Sequence, residues 1–136
     1  MADPVTAIVR RALALVEQQR LDVYRAIASA LTGLRLDLAL DGPLCLVSTG
    51  VRLVECAPDP ARRGDLRVRA ERPAIQALLR GDTTLLRALR DGTVHIAGTT
   101  SVLARALTAF ELLVGALLRI ADAHDLRLAL EHTHAC

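Results

Sequence analysis

Apolar residues recur at helical spacing over residues 5–31, which gives this segment one apolar and one polar face. The pattern predicts one long helix, or two helices that join near residue 21. Asp3 and Pro4 place an acceptor at the N-cap and a proline at the first helical position, both of which favour a helix start. We therefore expect an N-terminal helical segment over residues 1–33.

The spacing of apolar residues then changes from helical to alternating. From Leu34 to Leu40, leucine alternates with charged or small residues, which is typical of a strand with one buried face. A loop with two prolines, over residues 57–64, interrupts the strands that follow. Short apolar runs between turn signals predict further strands over residues 44–48, 51–56, 66–70 and 93–97.

Helical spacing returns on both sides of the fifth strand. Pro73 opens a short helix that stops at Gly81, and a second short helix ends at Gly92. A long helix follows hydroxyl caps at residues 99–101, and its apolar run over residues 102–123 is long enough to span a bilayer. Charged residues within that run make spanning costly. They are Arg105, Glu111, Arg119 and Asp122.

This order of elements predicts one α+β domain over residues 1–136, with a core over 34–121 and a tail over 122–136. The core is expected to hold a five-stranded, mainly antiparallel sheet, with helices covering one face and polar side chains on the other. The face to be covered carries Leu36, Leu38, Leu46, Val68 and Ile96. In the tail, Leu126, Leu128 and Leu130 alternate, which fits an edge strand or a helix.

The composition narrows the class of protein. The 136 residues are 52% hydrophobic and carry a net charge of +2, and such an apolar chain is not disordered. All 17 basic residues are arginine, a bias typical of a GC-rich bacterial coding sequence, and few aromatic residues are present to stack on nucleic-acid bases. The acidic N-terminus and the odd number of cysteines predict a cytoplasmic protein with neither a signal peptide nor a transmembrane segment.

Two short helices flanked by strands resemble a known family. The segments are DLRVRA from Asp65, AIQALLRGDTTLLRALRDG from Ala74 and TVHIAG from Thr93. A strand, a helix ending in Leu-Leu-x-Gly, a helix ending in Asp-Gly and a strand closing on glycine occur in this order in the sterol carrier protein 2 family. The resemblance covers roughly residues 20–120, while the upstream strands match it in element order alone.

The resemblance implies an apolar tunnel between the sheet and the helices that takes lipids, sterols or acyl chains, and it carries no catalytic signature. The side chains that match the tunnel walls of that family are Leu78, Leu79, Leu85, Leu86, Leu89, Leu103, Leu107, Phe110 and Val114. They alternatively fill a solid core. Tyr24, on the apolar face of the first helix, either offers a ligand head group one polar contact or packs in the core.

Other reactive side chains carry weaker signals. His95 shares a strand face with Thr93 and Ala97, which we expect to be exposed to solvent. Cys45 and Cys56 are expected on the same face of neighbouring strands, with Cys45 opposite Val54, as two small buried side chains. The tail residues His124, His132, His134 and Cys136 have no second ligand pair elsewhere, so we expect no metal site and no cofactor.

Three functions fit the sequence. The first is a cytoplasmic carrier or accessory protein that binds a lipid, sterol, isoprenoid, polyketide or acyl chain. The second is a small cofactor-free cyclase or isomerase of lipid or natural-product biosynthesis, which needs polar groups inside the cavity. Its candidates are Tyr24, Asp37, Cys45, Glu55 and His95. The third is an interaction module or subunit of a larger complex, and the apolar last helix or the tail predicts a homodimer.

Overall fold

Residues 4–120, which the computed structural model describes, form five helices and five strands that follow the predicted order. The helices are α1 (Val5–Gln19), α2 (Leu21–Ala30), α3 (Arg72–Arg80), α4 (Leu85–Asp91) and α5 (Thr100–Arg119), and the strands are β1 (Arg35–Ala39), β2 (Pro43–Ser48), β3 (Leu53–Cys56), β4 (Leu66–Ala70) and β5 (Val94–Ala97). The N-terminal segment is thus two helices, which join at Arg20. The predicted tail over residues 122–136 lies outside the described residues.

The strands form one sheet in the order β3-β2-β1-β4-β5. The pairs β1–β2, β2–β3 and β4–β5 are antiparallel, whereas β1 and β4 run parallel at the centre of the sheet. This confirms the five-stranded, mainly antiparallel sheet of the α+β prediction. The chain path accounts for the parallel pair. Strands β1 and β3 run in the same direction, and the 57–64 loop returns the chain to the end of the sheet where β1 begins, so that β4 runs parallel to β1.

All five helices contribute side chains to one face of the sheet, which we call the covered face. The five residues predicted to lie there, Leu36, Leu38, Leu46, Val68 and Ile96, belong to the main hydrophobic core or pack against it. The alternate residues Asp37, Arg67 and His95 lie on the opposite face, which we call the outer face. Alternation along each strand therefore separates the two faces as the sequence predicts.

Backbone groups at the helix ends are satisfied by side chains and by glycine. Gly81 and Gly92 end α3 and α4 with φ of 78° and 77°. These are left-handed backbone conformations that residues with a Cβ rarely adopt. Thr99 caps α5 by accepting a hydrogen bond from the Val102 amide. The described cap of α1 comes from a distant turn, since the Asp41 carboxylate accepts the amide of Thr6 at 3.3 Å. Asp3, the expected cap, lies outside the described residues.

Helix α5 is held to α2 by an arginine. The Arg105 guanidinium donates to the carbonyl oxygens of Ala30 and Thr32 at 2.8 and 2.6 Å. These carbonyls lie at or just past the end of α2, where helical carbonyls lack partners within the helix.

By length and composition alone α5 would be able to cross a membrane. In the fold it packs against α2, and part of its apolar surface belongs to the core.

The predicted register of the β2–β3 hairpin is wrong. Ser48 pairs with Leu53, so four residues rather than two lie between the last paired positions of the hairpin. Within this loop the Thr49 amide donates to the Arg52 carbonyl. The register shifts by two residues, and Cys45 lies directly opposite Cys56 instead of Val54. A shift of two residues keeps every side chain on its predicted face, so the error alters the partners and leaves the two faces unchanged.

Candidate functional site

An apolar cavity of about 200 Å³ lies between the covered face and the helices. Its walls combine sheet leucines with residues of all five helices, and each of these side chains is apolar. They are Ile8, Val9, Ala12, Leu13, Ile27, Leu31, Leu36, Leu38, Leu40, Leu46, Leu53, Leu66, Val68, Ala70, Ile75, Leu78, Leu79, Leu85, Val94, Ile96, Ala106, Ala109, Phe110, Leu113 and Leu117. Such a cavity offers water no hydrogen-bond partner and suits an apolar group.

Small side chains on α1 and α5 help to leave this space open. Ala12 lines the cavity from α1, and Ala106 and Ala109 line it from α5. The stripe on α5 continues through Leu113 to Leu117, at the spacing of one helical face. Alanine leaves room where leucine would bring the helix surface closer to the sheet. The gap between the layers therefore follows from the choice of residues on these two helices.

Four of the predicted wall residues line the cavity. They are Leu78 and Leu79 of α3, Leu85 of α4 and Phe110 of α5. Their position agrees with the predicted walls, while a role in binding stays a prediction.

The other predicted wall residues lie elsewhere. Leu103 packs against the main core, and Val114 is half-buried outside the cavity lining. Leu89 and Leu107 pack against a second hydrophobic cluster, which consists of Ala70, Ala74, Leu78, Leu85, Ala88 and Val94. Leu86 is 62% exposed on α4. On α5 the wall is thus formed by a face rotated by about one residue from the predicted one.

Sequence reasoning missed the contribution of α1 and of the sheet to the walls. Ile8, Val9 and Leu13 repeat at helical spacing, and the same spacing had already marked an apolar face on this segment. The strand leucines were expected on the sheet face that the helices cover. This position was a sufficient signal that they line a cavity between the sheet and the helices. The family resemblance implies walls from residues 78–114 alone.

Tyr24 does not line the cavity. Its side chain is 3% exposed, and its hydroxyl accepts the Leu53 amide at 2.9 Å and donates to the Leu53 carbonyl at 3.5 Å. The hydroxyl thereby joins α2 to the edge strand β3. The core alternative describes its position, with the added task of satisfying an edge-strand amide.

None of the five candidate polar residues of the enzyme hypothesis lines the apolar cavity. Glu55 forms an exposed ion pair with Arg10 at 2.7 Å, and this hydrogen bond lowers the pKa of the Glu55 carboxyl. Asp37, Cys45 and His95 lie on the outer face. The apolar cavity therefore presents no acid or base from this set to a ligand.

A second cavity, an open groove of about 710 Å³, lies on the outer face. Its walls include Asp37, Cys45, Arg67, Arg69 and His95, together with the proline-rich loop at residues 58–60. His95 is exposed, in agreement with the prediction that its strand face meets solvent. The groove is wide and partly polar, in contrast to the smaller cavity with a wholly apolar lining on the covered face.

The 57–64 loop is held against the outer face by Asp37. The Asp37 carboxylate accepts the Gly64 amide at 2.7 Å and the Cys45 thiol at 3.3 Å. A Cβ at residue 64 would lie 2.6 Å from this carboxylate, so only glycine permits the approach. Burial raises the pKa of the Cys45 thiol to about 12, and its hydrogen bonds with Cys56 and Asp37 add to the rise.

Within residues 4–120, no group of three or more histidine, cysteine, aspartate or glutamate side chains is placed to hold a metal ion. The three tail histidines and Cys136 lie outside this range, as do the tail leucines that were considered for a dimer contact.

Leu118 of α5 is 48% exposed, whereas its neighbour Leu117 is buried and lines the cavity. The homodimer stays a prediction, for which Leu118 rather than Leu117 is the accessible side chain.

No protein-family model and no curated protein matches the sequence. Solved structures do match. The ubiquinone synthesis protein UbiJ-SCP2 is 21% identical with a TM-score of 0.58, over 80% of this chain and 90% of that chain. A conserved hypothetical protein from Thermus thermophilus, described as possibly a sterol carrier protein, is 20% identical with a TM-score of 0.54, over 85% of each chain.

A third match carries a lipid in its description. Palmitated sterol carrier protein 2-like 2 from Aedes aegypti is 15% identical with a TM-score of 0.52, over 79% of this chain and 95% of that chain. At these identities the likeness concerns the fold, and it spans nearly the whole of each matched domain. The resemblance drawn from the two short helices is thus confirmed at that level, and the chain has the fold of the sterol carrier protein 2 domains.

Proposed function

We propose that this protein binds a hydrophobic small molecule in the cavity of the covered face, as a carrier or accessory protein. The observation that supports this proposal is the wholly apolar lining of a cavity inside a small domain. A lining without polar groups favours an acyl, isoprenoid, polyketide or sterol portion, because such groups require no hydrogen bonds. Two of the matched structures fit this class of ligand, since one is described as palmitated and another as a ubiquinone synthesis protein.

The size of the cavity limits what it holds at rest. A dry apolar cavity of about 150 Å³ in another protein takes up benzene. At about 200 Å³, the cavity here accepts one ring or a short chain segment without rearrangement. A longer chain needs the helix layer to move away from the sheet, as ligand pockets of this kind usually exceed about 300 Å³. We expect α5 to move, because it closes the cavity along Ala106, Ala109 and Leu113.

Chain burial supplies the binding energy in this proposal. Each methylene transferred from water gains about 0.8 kcal/mol, so eight methylenes gain roughly 6 kcal/mol before the costs of association are subtracted. The polar head group of a ligand finds no partner among the lining residues and stays at the cavity mouth. The cavity therefore selects ligands by the length and width of their apolar part. The moderate binding free energy that chain burial supplies is sufficient for a carrier, since a carrier must also release its ligand.

Native mass spectrometry of freshly purified protein tests the proposal. We expect an adduct that matches a hydrophobic small molecule, or stoichiometric uptake after incubation with palmitate, cholesterol or an isoprenoid quinone. A palmitate analogue without the carboxylate, such as hexadecane, is the matched probe and should compete with palmitate because the lining is apolar. A clean ligand-free mass together with no uptake of any of these probes would contradict the proposal.

A further inference from the structure

Two free thiols meet on the outer face in a geometry that permits a bond. Cys45 of β2 and Cys56 of β3 are directly opposite each other, and their Sγ atoms are 2.7 Å apart. Opposed residues of antiparallel strands have Cα atoms about 4.5–5.5 Å apart, within the range of about 4.4–6.8 Å that disulfides span. The backbone of this hairpin is therefore already placed for a disulfide.

The two thiols differ in access and form a short hydrogen-bonded chain. Cys56 lies on the edge strand and is half-exposed, whereas Cys45 is buried. The Cys56 thiol donates to the Cys45 sulfur, and the Cys45 thiol donates to the Asp37 carboxylate at 3.3 Å. An oxidant from solvent thus reaches Cys56 first, and Cys45 is the sulfur next to it. The half-buried Asp37 carboxylate, which accepts the Cys45 thiol, is placed to receive the proton that Cys45 loses.

We propose that Cys45 and Cys56 form a reversible disulfide when the protein meets a hydroperoxide. The Cys56 sulfur attacks one peroxide oxygen, the O–O bond breaks, and Cys56 becomes a sulfenic acid as water or an alcohol leaves. The Cys45 sulfur then attacks the Cys56 sulfur, the S–S bond forms, and the S–O bond breaks. The departing hydroxide takes the Cys45 proton, through Asp37, and leaves as water. Two thiols are oxidised by two electrons, and the peroxide is reduced.

The surroundings of Cys45 assign it the second step of this reaction. Because the raised pKa of Cys45 keeps it protonated at neutral pH, it does not itself start the reaction with peroxide. Its proximity to Cys56 makes the second step intramolecular, so the sulfenic acid is trapped before it is oxidised further. The site thus acts as a sensor of oxidant, in which Cys56 reacts with the peroxide and Cys45 traps the product. This proposal does not depend on ligand binding at the covered face.

The test uses the full chain with Cys136→Ser, which removes the third cysteine of the sequence. The folded protein is treated with hydrogen peroxide, denatured, alkylated with iodoacetamide and digested with trypsin. Trypsin cuts after Arg52, between the two cysteines, so that peptides 36–52 and 53–62 stay together only through the disulfide. We expect this linked pair to form, to disappear with dithiothreitol, and to raise the thermal midpoint by roughly 5–10 °C.

Single variants separate the pair from other chemistry. Adding Cys45→Ser or Cys56→Ser should abolish the link, and Cys56→Ser should also abolish the sulfenic acid that dimedone traps. Complete alkylation of both thiols after peroxide treatment, a sulfinic acid at Cys56 without a link, or a link between two copies would each overturn the proposal. The link is mapped in the protein that retains both cysteines, so a variant that fails to fold does not affect the result.

Discussion

The two faces of one sheet, built from alternate residues of the same strands, have opposite chemistry. On β1, Leu36 and Leu38 point into a cavity with an apolar lining, whereas Asp37 between them holds a loop on a polar groove. The polar groups of the covered side are found at its margin, where Tyr24 and Arg105 satisfy backbone groups. The comparison teaches that an apolar site in so small a domain depends on keeping polar side chains out of the cavity lining, on the other face of the sheet or at the margin.

The largest expected effect comes from placing a charge on the covered face. Leu36→Asp removes a buried leucine and buries a carboxylate without a partner, which should cost at least about 4 kcal/mol and prevent folding at 37 °C. The matched change, Ala39→Asp, is on the outer face of the same strand beside Arg69 and should alter stability by less than about 0.5 kcal/mol. Urea unfolding measures both, and equal losses in the two variants would refute the distinction between the faces.

A smaller loss is expected from the arginine at the margin. Arg105→Ala leaves the Ala30 and Thr32 carbonyls without their charged donor and should cost about 1.5–3 kcal/mol, at the lower end because water reaches the site. Arg87→Ala, on the exposed side of α4, is the control and should cost little. Thermal unfolding compares the two variants. If they were equal, Arg105 would not be needed to hold α5 to α2.

Tyr24→Phe should lower the free energy of unfolding by about 1 kcal/mol, because the Leu53 amide loses its acceptor while the ring keeps its packing. Hydrogen exchange at the Leu53 amide is the specific readout and should become faster than in the wild type. Unchanged exchange at this amide would show that the tyrosine hydroxyl does not hold the edge strand.

The smallest effect concerns the exposed pair of Arg10 and Glu55. The folded-state pKa of Glu55 is lowered by Arg10, so its contribution is present above the ordinary glutamate pKa of about 4.5 and is lost as the pH falls through the lower folded value. Glu55→Gln should therefore lower the thermal midpoint slightly at pH 7 and not at pH 2.5. Glu111→Gln on α5 is the control, and a larger difference at pH 2.5 than at pH 7 would reverse the expected sign.

Much of the fold could be predicted because the local signals agree. The change of apolar period at Leu34 marks the first strand, and Gly81, Gly92 and Thr99 end or start helices where the structure has them. The β2–β3 register could not be predicted, since Thr49 and Gly50 resemble a two-residue turn while the structure uses a four-residue loop. Loop length depends on hydrogen bonds that the apolar pattern does not report.

The site was predicted in part for a related reason. Leu78, Leu79, Leu85 and Phe110 line the cavity, but on α5 the lining uses Leu113 where Val114 was expected. Almost the whole circumference of α5 is apolar, so its sequence does not determine its rotation against the sheet. In the structure, the hydrogen bonds of Arg105 to the end of α2 place the polar side of α5 next to α2, and they join residues more than seventy positions apart.

The central claim is that the cavity of the covered face holds the ligand, and a pair of adjacent substitutions on α5 tests it most directly. Leu113→Trp fills part of the cavity, whereas Val114→Trp places the same ring outside the lining. Palmitate uptake, measured by native mass spectrometry on variants shown to be folded by circular dichroism, should fall at least tenfold in Leu113→Trp and stay near the wild-type level in Val114→Trp, a tenfold loss being about 1.4 kcal/mol. Undiminished uptake in Leu113→Trp, or equal losses in both variants, would contradict the claim.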